Sequence, residues 1–142
     1  MLNPKIEKRA SGISGIGLFA MSTIAEGETV WYPTMELMQK IHIDELYSLP
    51  ENEKYDWIKH SYQIGEILYK DTDDTKFMNH SCGPNVVDFH DTLVAARQIQ
   101  KGEEITWDYL PYMNPYLVFD CRCGSQNCVG TVKKGAMIGV KA

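Results

Sequence analysis

Apolar and polar residues alternate in short stretches along this chain, and turn-forming residues separate the stretches roughly every ten positions. The stretch GIGLFAMSTI has β character around Leu18 and Phe19, and HSYQIGEILY also has the character of a strand. NVVDFHDTLVAARQI (85–99) alternates in part and predicts a hairpin that turns near Asp91. This pattern predicts a mainly β fold and not a regular alternation of strands and helices.

Two stretches share a Gly-Glu turn that leads into an apolar, β-prone run. They are IAEGETVW (24–31) and IQKGEEITW (99–107). We interpret them as the same kind of turn used twice, and not as an internal duplication.

One helical segment is predicted in the middle of the chain, within an insert over about residues 36–60. Ser48 is followed three residues later by Glu51, with Pro50 between them, which is typical of a helix N-terminus with a capping box. In the stretch ENEKYDWIKH that follows, apolar residues three positions apart allow one side of the helix to be apolar. The sequence therefore predicts one short helix in a β-rich domain.

The composition is that of a globular domain with a mildly acidic surface. The chain has 142 residues, of which 44% are hydrophobic and 23% are charged, and its net charge is −5. This length is sufficient for one domain with an ordinary core. Because no long basic run is present to bind phosphates, we expect no direct nucleic-acid binding, whereas a basic protein would be attracted.

The sequence shows no targeting or membrane signal. No apolar run approaches the roughly 20 residues that a membrane helix needs, so no membrane association is expected. The first residues, MLNPKIEKRA, lack the apolar stretch of a signal peptide. We expect a cytoplasmic location if the source is prokaryotic, with a nuclear location or delivery into a host cell as the alternatives.

Three of the four cysteines lie within eight residues, in CRCGSQNC (121–128). Their C-x-C-x4-C spacing, with turn-forming residues between them, is typical of a tight loop around zinc or another thiophilic metal. A disulfide between Cys121 and Cys123 would be strained by so short a loop. The candidates for a fourth ligand are Cys82 and the four histidines, and choosing Cys82 leaves no cysteine over. The alternative for Cys82 is a small buried hydrophobic residue that binds no metal.

Five motifs occur in an order that resembles one protein family. They are GISGIGLFA, HSYQI, FMNHSCGPN, GEEITWDY and CRCGSQNCVG. In this order and at these separations they resemble a SET-domain protein lysine methyltransferase with a post-SET zinc motif, of the compact microbial or viral kind. The resemblance implies a β-clip-like SET fold of small curved sheets with a C-terminal pseudoknot, at which the NHSC segment and the strand that carries the Asp-Tyr pair meet. It also implies a SET domain over residues 1–112 and a zinc-binding post-SET tail over 113–142.

The resemblance also implies an activity and a set of site residues. The activity is transfer of a methyl group from S-adenosylmethionine to a lysine side-chain amine in a basic protein, histones included, with S-adenosylhomocysteine as product. The residues implied for cofactor binding are Gly15, Ile16, Gly17, His60, Tyr62, Asn79 and His80. The ligands implied for a structural zinc ion are Cys82, Cys121, Cys123 and Cys128. Tyr109 is implied as the catalytic tyrosine, with Tyr62 and Trp107 as walls of the lysine channel.

Each of these residues also has an ordinary structural interpretation. Taken alone, Gly15 and Gly17 fit a simple turn, and Tyr109 fits a tyrosine at a strand end. Two other functions therefore stay open, namely a catalytically silent SET-like module that binds a basic peptide and a zinc-stabilised structural domain without a cofactor. Trp107 stands where the family usually has Phe or Tyr; it lacks a hydroxyl but is larger, so the sequence does not predict how many methyl groups are added.

Overall fold

Short strands form most of the regular structure, as the alternating pattern predicts. The computed structural model describes residues 1–138, so the end of the predicted post-SET tail, 139–142, lies outside the described residues. Within 1–138 the chain forms one α-helix, α1 (Glu51–His60), and twelve strands. The strands are β1 (Ile6–Ala10), β2 (Ile16–Ala20), β3 (Thr29–Trp31), β4 (Met38–His42), β5 (Ser61–Ile64), β6 (Ile67–Asp71), β7 (Asn79–His80), β8 (Val86–Phe89), β9 (Thr92–Ala95), β10 (Glu104–Trp107), β11 (Phe119–Asp120) and β12 (Thr131–Val132).

These strands form four small sheets, which confirms the prediction of a mainly β fold. The largest sheet has the order β1-β2-β10-β7. The pairs β1–β2 and β2–β10 are antiparallel, and the pair β10–β7 is parallel. Two three-stranded antiparallel sheets have the orders β3-β9-β8 and β4-β6-β5, and β11 pairs with β12. The parallel pair β7–β10 joins two of the sequence motifs.

The two Gly-Glu turns of the sequence lie side by side. Ile24 and Ile99 each donate a backbone hydrogen bond to the other's carbonyl at 2.9 Å, and both side chains are fully buried. Gly27 and Gly102 in these turns have φ of 80° and 89°, a conformation that strains residues with a Cβ. The pairing therefore fixes the starts of β3 and β10 relative to each other.

The hairpin predicted over residues 85–99 is formed by β8 and β9. Phe89 pairs with Thr92, and the two residues between them, His90 and Asp91, have φ of 48° and 62°. A two-residue turn with positive φ at both positions matches the right-handed twist of the flanking strands. The turn near Asp91 is therefore confirmed.

Helix α1 covers the predicted residues, but the capping box predicted for Ser48 and Glu51 is wrong. Ser48 Oγ donates to the Glu45 carbonyl at 3.0 Å, and Pro50 occupies the N-cap without a side-chain hydrogen bond. A capping box forms earlier instead: the His42 ring accepts from a backbone N–H, and the Glu45 carboxylate accepts from the His42 N–H at 2.6 Å. This box caps the start of a short 3₁₀ helix.

The helical insert predicted over residues 36–60 is also shorter than expected. Its residues 38–42 form β4, which pairs with β6 along its whole length, and the 3₁₀ helix Ile43–Ser48 begins only where that pairing ends. Pairing with a neighbouring strand therefore outweighs local helical preference here. Within residues 1–138, no helix combines the length and the apolar character needed to cross a membrane.

Two packed clusters support the motifs. The central cluster contains β2, β3, β9 and β10 and includes the fully buried Leu18 and Val30. A second cluster surrounds the cysteines and includes Met113, Val129 and Val132. Burial of one such side chain contributes about 1.5–3 kcal/mol. The loop that carries the cysteines is therefore held by apolar packing as well as by its thiols.

Candidate active site and metal centre

Two of the sequence motifs meet at the parallel strand pair. β7 pairs with β10 so that Asn79 lies beside Thr106, and His80 lies beside Trp107. Asn85 reinforces this junction, because its side-chain amide and its side-chain carbonyl both hydrogen-bond the backbone of β10, at 2.7 and 2.9 Å. The NHSC segment and the strand that leads into the Trp-Asp-Tyr sequence are thereby held together, as the resemblance implied.

Tyr109 follows β10 and is fixed at both ends. Its hydroxyl donates to the Met78 carbonyl, and its backbone N–H donates to His80 Nδ1 at 3.0 Å. The residue as a whole is half-buried. Burial, and secondarily the Glu104 carboxylate, raise the pKa of Tyr109 well above its usual value. The phenol therefore stays protonated at neutral pH.

His80 connects Tyr109 to the cysteines. Because Nδ1 accepts the hydrogen bond from Tyr109, the neutral ring carries its proton on Nε2, which lies 3.4 Å from Cys82 Sγ. The His80 side chain is fully buried, and burial lowers its pKa, although Asp108 at 3.7 Å opposes this. The neutral ring is therefore the resting form, and it donates to sulfur on one side and accepts from the tyrosine backbone on the other.

The four cysteines form one cluster, and none of them is in a disulfide. The sulfur atoms of Cys82, Cys121, Cys123 and Cys128 all lie within 4.8 Å of one another, and Cys82 and Cys121 are 3.9 Å apart. Tetrahedral zinc with Zn–S bonds of about 2.3 Å would place its sulfurs about 3.8 Å apart. The cluster can therefore hold one thiophilic metal ion, and Cys82 supplies the fourth sulfur position.

Backbone N–H groups point at the sulfurs of this cluster. The Val129 N–H donates to Cys82 Sγ at 3.3 Å, and the Ser125 N–H donates to Cys123 Sγ at 3.5 Å. Burial opposes ionisation of Cys123, but backbone N–H groups and the neighbouring thiols outweigh it and lower its pKa to about 6. Burial raises the pKa of Cys82 and Cys121. A bound metal would make thiolates of all four, and the donors are placed to support that charge.

The backbone conformation at Gly15 and the close packing at Gly17 both favour glycine in this turn. Gly15 has a φ of 44°, and the exposed Ile16 side chain follows it. Gly17 is extended, but a Cβ there would collide with the Glu104 carboxylate. The Asn79 amide donates to this carboxylate at 2.9 Å and to the Ile16 carbonyl at 3.2 Å. The turn and the NHSC segment are thus bound to each other.

A cavity of about 340 Å³ adjoins the junction at Met78, Trp107 and Tyr109. One wall is the face of the β4-β6-β5 sheet that carries Tyr62 and Tyr69, whose rings stack with centroids 5.5 Å apart. Trp107, Tyr109 and Tyr112 also line the cavity, and the Trp107 and Tyr112 rings stack at 5.8 Å. The cavity is therefore rich in aromatic side chains, and its size is within the usual range for a ligand site. Its lining also carries charged side chains of both signs, namely Asp71, Asp88, Asp91, Lys59 and Lys76.

The structure divides the predicted site residues into two groups. The residues that line the cavity are His60, Tyr62, Trp107 and Tyr109. The residues that lie outside its lining, at the glycine turn and the β7–β10 junction, are Gly15, Ile16, Gly17, Asn79 and His80. Binding of a cofactor or substrate by either group stays a prediction.

Sequence reasoning missed several residues that line the cavity. They are Trp31, Tyr69, Asp71 and Tyr112. HSYQIGEILY folds as the β5–β6 hairpin and not as one strand; it turns at Gly65, where φ is 61°, and this register sets Tyr62 opposite Tyr69. A hairpin reading of that stretch would have identified Tyr69, and side-chain alternation would then have placed Asp71 on the same face.

Comparison with known proteins identifies the family. Residues 15–110 match the SET domain. A Yarrowia lipolytica protein named histone-lysine N-methyltransferase, H3 lysine-36 specific, is 33% identical over 130 residues, which cover 82% of this chain and 16% of that protein. The histone-lysine N-methyltransferase trithorax of Drosophila virilis is 33% identical over 138 residues, 83% of this chain and 3% of that protein. The variant-silencing SET domain-containing protein of Plasmodium falciparum is 29% identical over 153 residues, 94% of this chain and 6% of that protein.

This chain spans between 3% and 16% of the length of these three relatives. The matched residues nevertheless include the glycine turn, the β7–β10 junction and Tyr109, so the similarity covers the candidate site as well as the core. The small sheets around a parallel junction also agree with the predicted SET fold. The chain belongs to the SET-domain family.

Proposed function

We propose that this chain is a protein lysine methyltransferase that uses S-adenosylmethionine. The observation that carries the proposal is the placement of Tyr109 in a SET-family chain. Its hydroxyl is fixed on the Met78 carbonyl at the point where the aromatic cavity meets the β7–β10 junction. The catalytic tyrosine, the lysine channel and the cofactor side would then meet at one place.

The reaction requires a neutral amine. A lysine with a pKa of about 10.4 needs about 4.6 kcal/mol to lose its proton at pH 7. A partly enclosed aromatic cavity disfavours the ammonium form, and a nearby sulfonium cation would do the same. Bound S-adenosylmethionine would supply a methyl group already activated on sulfur. The amine nitrogen would bond to the methyl carbon as the carbon–sulfur bond breaks, and the electron pair of that bond would stay on sulfur.

Tyr109 positions the amine and does not remove its proton. Its hydroxyl hydrogen is used in the bond to Met78, so the lone pairs of its oxygen are left to accept from the amine N–H. Its raised pKa makes a phenolate unavailable, and water takes the proton that the product releases. Tyr62 and Trp107 would keep the chain of the substrate lysine aligned by contact with its methylene groups.

The glycine turn and the NHSC segment are proposed to hold the cofactor on the opposite side of β10. Because the Asn79 amide already binds the turn, its contribution there is to fix the backbone of residues 15–17. The cysteine cluster is proposed to hold a structural zinc ion, which has no open coordination position when four thiolates bind it. That ion would tie the tail to Cys82, two residues after His80.

The proposed substrate is a basic protein. Three aspartates line the cavity against two lysines, Lys59 and Lys76, and the net charge of the chain is −5. Two of the three relatives are named histone-lysine N-methyltransferases, and the third is named a variant-silencing SET domain-containing protein. We therefore propose a histone or histone-like tail as the substrate and a nuclear place of action.

The test is transfer of a radiolabelled methyl group to core histones and to a lysine peptide array by the purified chain. We expect transfer by the wild type, and transfer reduced at least about 100-fold by Tyr109→Phe. A thermal shift with S-adenosylhomocysteine should be retained by both proteins, because a ligand of the native state stabilises it. Peptide binding without transfer would support the silent module, and absence of both transfer and thermal shift would leave a structural domain.

A further inference from the structure

Asp71 lies in the cavity without a charged partner. The residue ends β6 opposite Met38, is 8% exposed and lines the cavity. Within residues 1–138, no cationic group forms a salt bridge with its carboxylate: Lys70 bonds Asp56 instead, at 2.6 Å, and the Met1 ammonium bonds the Tyr32 carbonyl, although its charge acts to lower the pKa of Asp71. A buried carboxylate without a salt bridge is unusual and calls for a ligand or a proton.

Two further polar groups in this part of the cavity also have no partner. Trp31 Nε1 and Thr75 Oγ1 make no hydrogen bond within the described structure, and these residues are 9% and 8% exposed. Trp31 lies close enough to Asp71 to counteract the rise in its pKa, but the two do not reach hydrogen-bond geometry. The Trp31 ring meets the Tyr62 ring edge-on at 6.5 Å. Aromatic faces beside a carboxylate form a favourable environment for an organic cation.

Asp71 lies on the Tyr62 side of the cavity and not at the catalytic tyrosine. It stands two residues after Tyr69 on β6, and the Tyr69 ring stacks on that of Tyr62. Burial, and secondarily the charge of Asp71, raise the pKa of Tyr62, whereas the charge that acts on Tyr109 is that of Glu104. A carboxylate beside the reacting amine would also keep it as the unreactive ammonium. The place therefore suits a cation that remains charged throughout the reaction.

We propose that Asp71, together with Trp31 and Tyr62, binds a second cationic side chain of the substrate, a lysine or arginine close in sequence to the methylated lysine. This inference rests on the proposed methyltransferase function, and it narrows the substrate class to segments with two basic residues. Burial raises the pKa of Asp71 to about 6, so its carboxylate is mostly ionised but poorly solvated at pH 7. A bound guanidinium or ammonium group would replace the lost solvation.

The test uses synthetic peptides with one central lysine in a Gly/Ser background. A single arginine is placed in turn at each of the four positions on either side, and each peptide is matched by one with neutral citrulline. Binding is measured by fluorescence anisotropy in the presence of S-adenosylhomocysteine. For one arginine position we expect the wild type to prefer arginine over citrulline about tenfold or more, and Asp71→Asn to reduce the preference below about twofold.

Three controls make the result specific. Asp44→Asn removes the same charge from an exposed position outside the cavity and should keep the preference. S-adenosylhomocysteine affinity should be unchanged in Asp71→Asn, which also reports its folding. If Asp71→Asn does not fold, Trp31→Phe tests the same site, because it removes an unpartnered N–H and should lower the preference severalfold.

The outcomes separate this inference from the proposed function. An Asp71→Asn protein that keeps the wild-type preference, or a wild type that does not distinguish arginine from citrulline at any position, would overturn the inference while methyl transfer persists. Loss of S-adenosylhomocysteine affinity in Asp71→Asn with the peptide preference intact would assign the site to the cofactor and would also overturn it. A wild type that neither binds S-adenosylhomocysteine nor transfers methyl groups would refute the proposed function itself.

Discussion

Replacing His80 with Phe should weaken metal binding and turnover together. The variant keeps a ring of similar size but removes both nitrogens, and hence the contact of Nε2 with Cys82 Sγ at 3.4 Å and the bond from the Tyr109 N–H at 3.0 Å. Loss of a group that supports a metal ligand typically lowers metal affinity 10- to 100-fold, or about 1.4–2.7 kcal/mol. The orphaned Tyr109 N–H should cost about 1–3 kcal/mol more in stability.

The assay is a zinc competition titration with a chromophoric chelator, run beside methyl-transfer kinetics and S-adenosylhomocysteine binding. We expect zinc affinity to fall at least tenfold and kcat to fall with it, while cofactor-analogue affinity falls by a smaller factor, because the substitution keeps the backbone of residue 80. His60→Phe is the matched control for zinc affinity alone, which it should leave unchanged, because the His60 side chain is 16% exposed and contacts the Lys76 carbonyl but no cysteine. A His80→Phe protein with wild-type zinc affinity and lost cofactor-analogue binding would show that His80 serves the cofactor and not the metal centre.

Three other substitutions test separate parts of the structure. Cys82→Ser should lower the zinc content of the purified protein below one ion per chain and lower its Tm, as measured by metal analysis and a thermal scan; full zinc affinity would remove Cys82 from the ligand set. Gly17→Ala should destabilise the fold by about 2 kcal/mol in urea unfolding, because the new Cβ displaces the Glu104 carboxylate from its two hydrogen bonds; an unchanged midpoint would mean that the carboxylate moves freely. Asp71→Asn should stabilise the fold by about 3 kcal/mol at pH 8 and by about half of that at pH 5. The sign follows from the pKa of Asp71, which burial raises from 3.8 to about 6. The folded wild type therefore favours the protonated acid and loses stability as the pH rises through this range. Equal unfolding midpoints for the wild type and Asp71→Asn at both pH values would contradict the shift.

The sequence motifs predicted the junction and the cysteine cluster because both depend on residue types with few alternatives. Only four cysteines are available, and they converge; the stretches that carry Asn79 and Tyr109 meet as the resemblance implied. The capping box was misplaced because Ser48 and His42 are each followed by Glu three residues later. The choice between them depends on where β4 stops pairing with β6, and local sequence does not determine this tertiary contact.

The acidic part of the cavity could not be predicted for a similar reason. Asp71 stands in the acidic stretch DTDDT, which the sequence indicates only as a solvent-exposed turn. Its first residue is instead the last residue of β6, and the register of that strand turns the side chain inward. Trp31 lies in another sheet, so local patterns carry no information that the two residues share a cavity.

The tail after residue 112 is part of the wall around Tyr109. The Phe119 ring lies 6.0 Å from the ring of Tyr109 and 6.3 Å from that of His80, and the fully buried Asn114 donates to the Ile58 carbonyl at 3.0 Å. We therefore expect the SET domain and the post-SET tail, which are distinguished by their sequence motifs, to fold as one unit. The two parts should exchange their buried amide hydrogens with similar protection, and a chain cut at residue 112 should expose apolar surface and aggregate instead of behaving as a smaller enzyme.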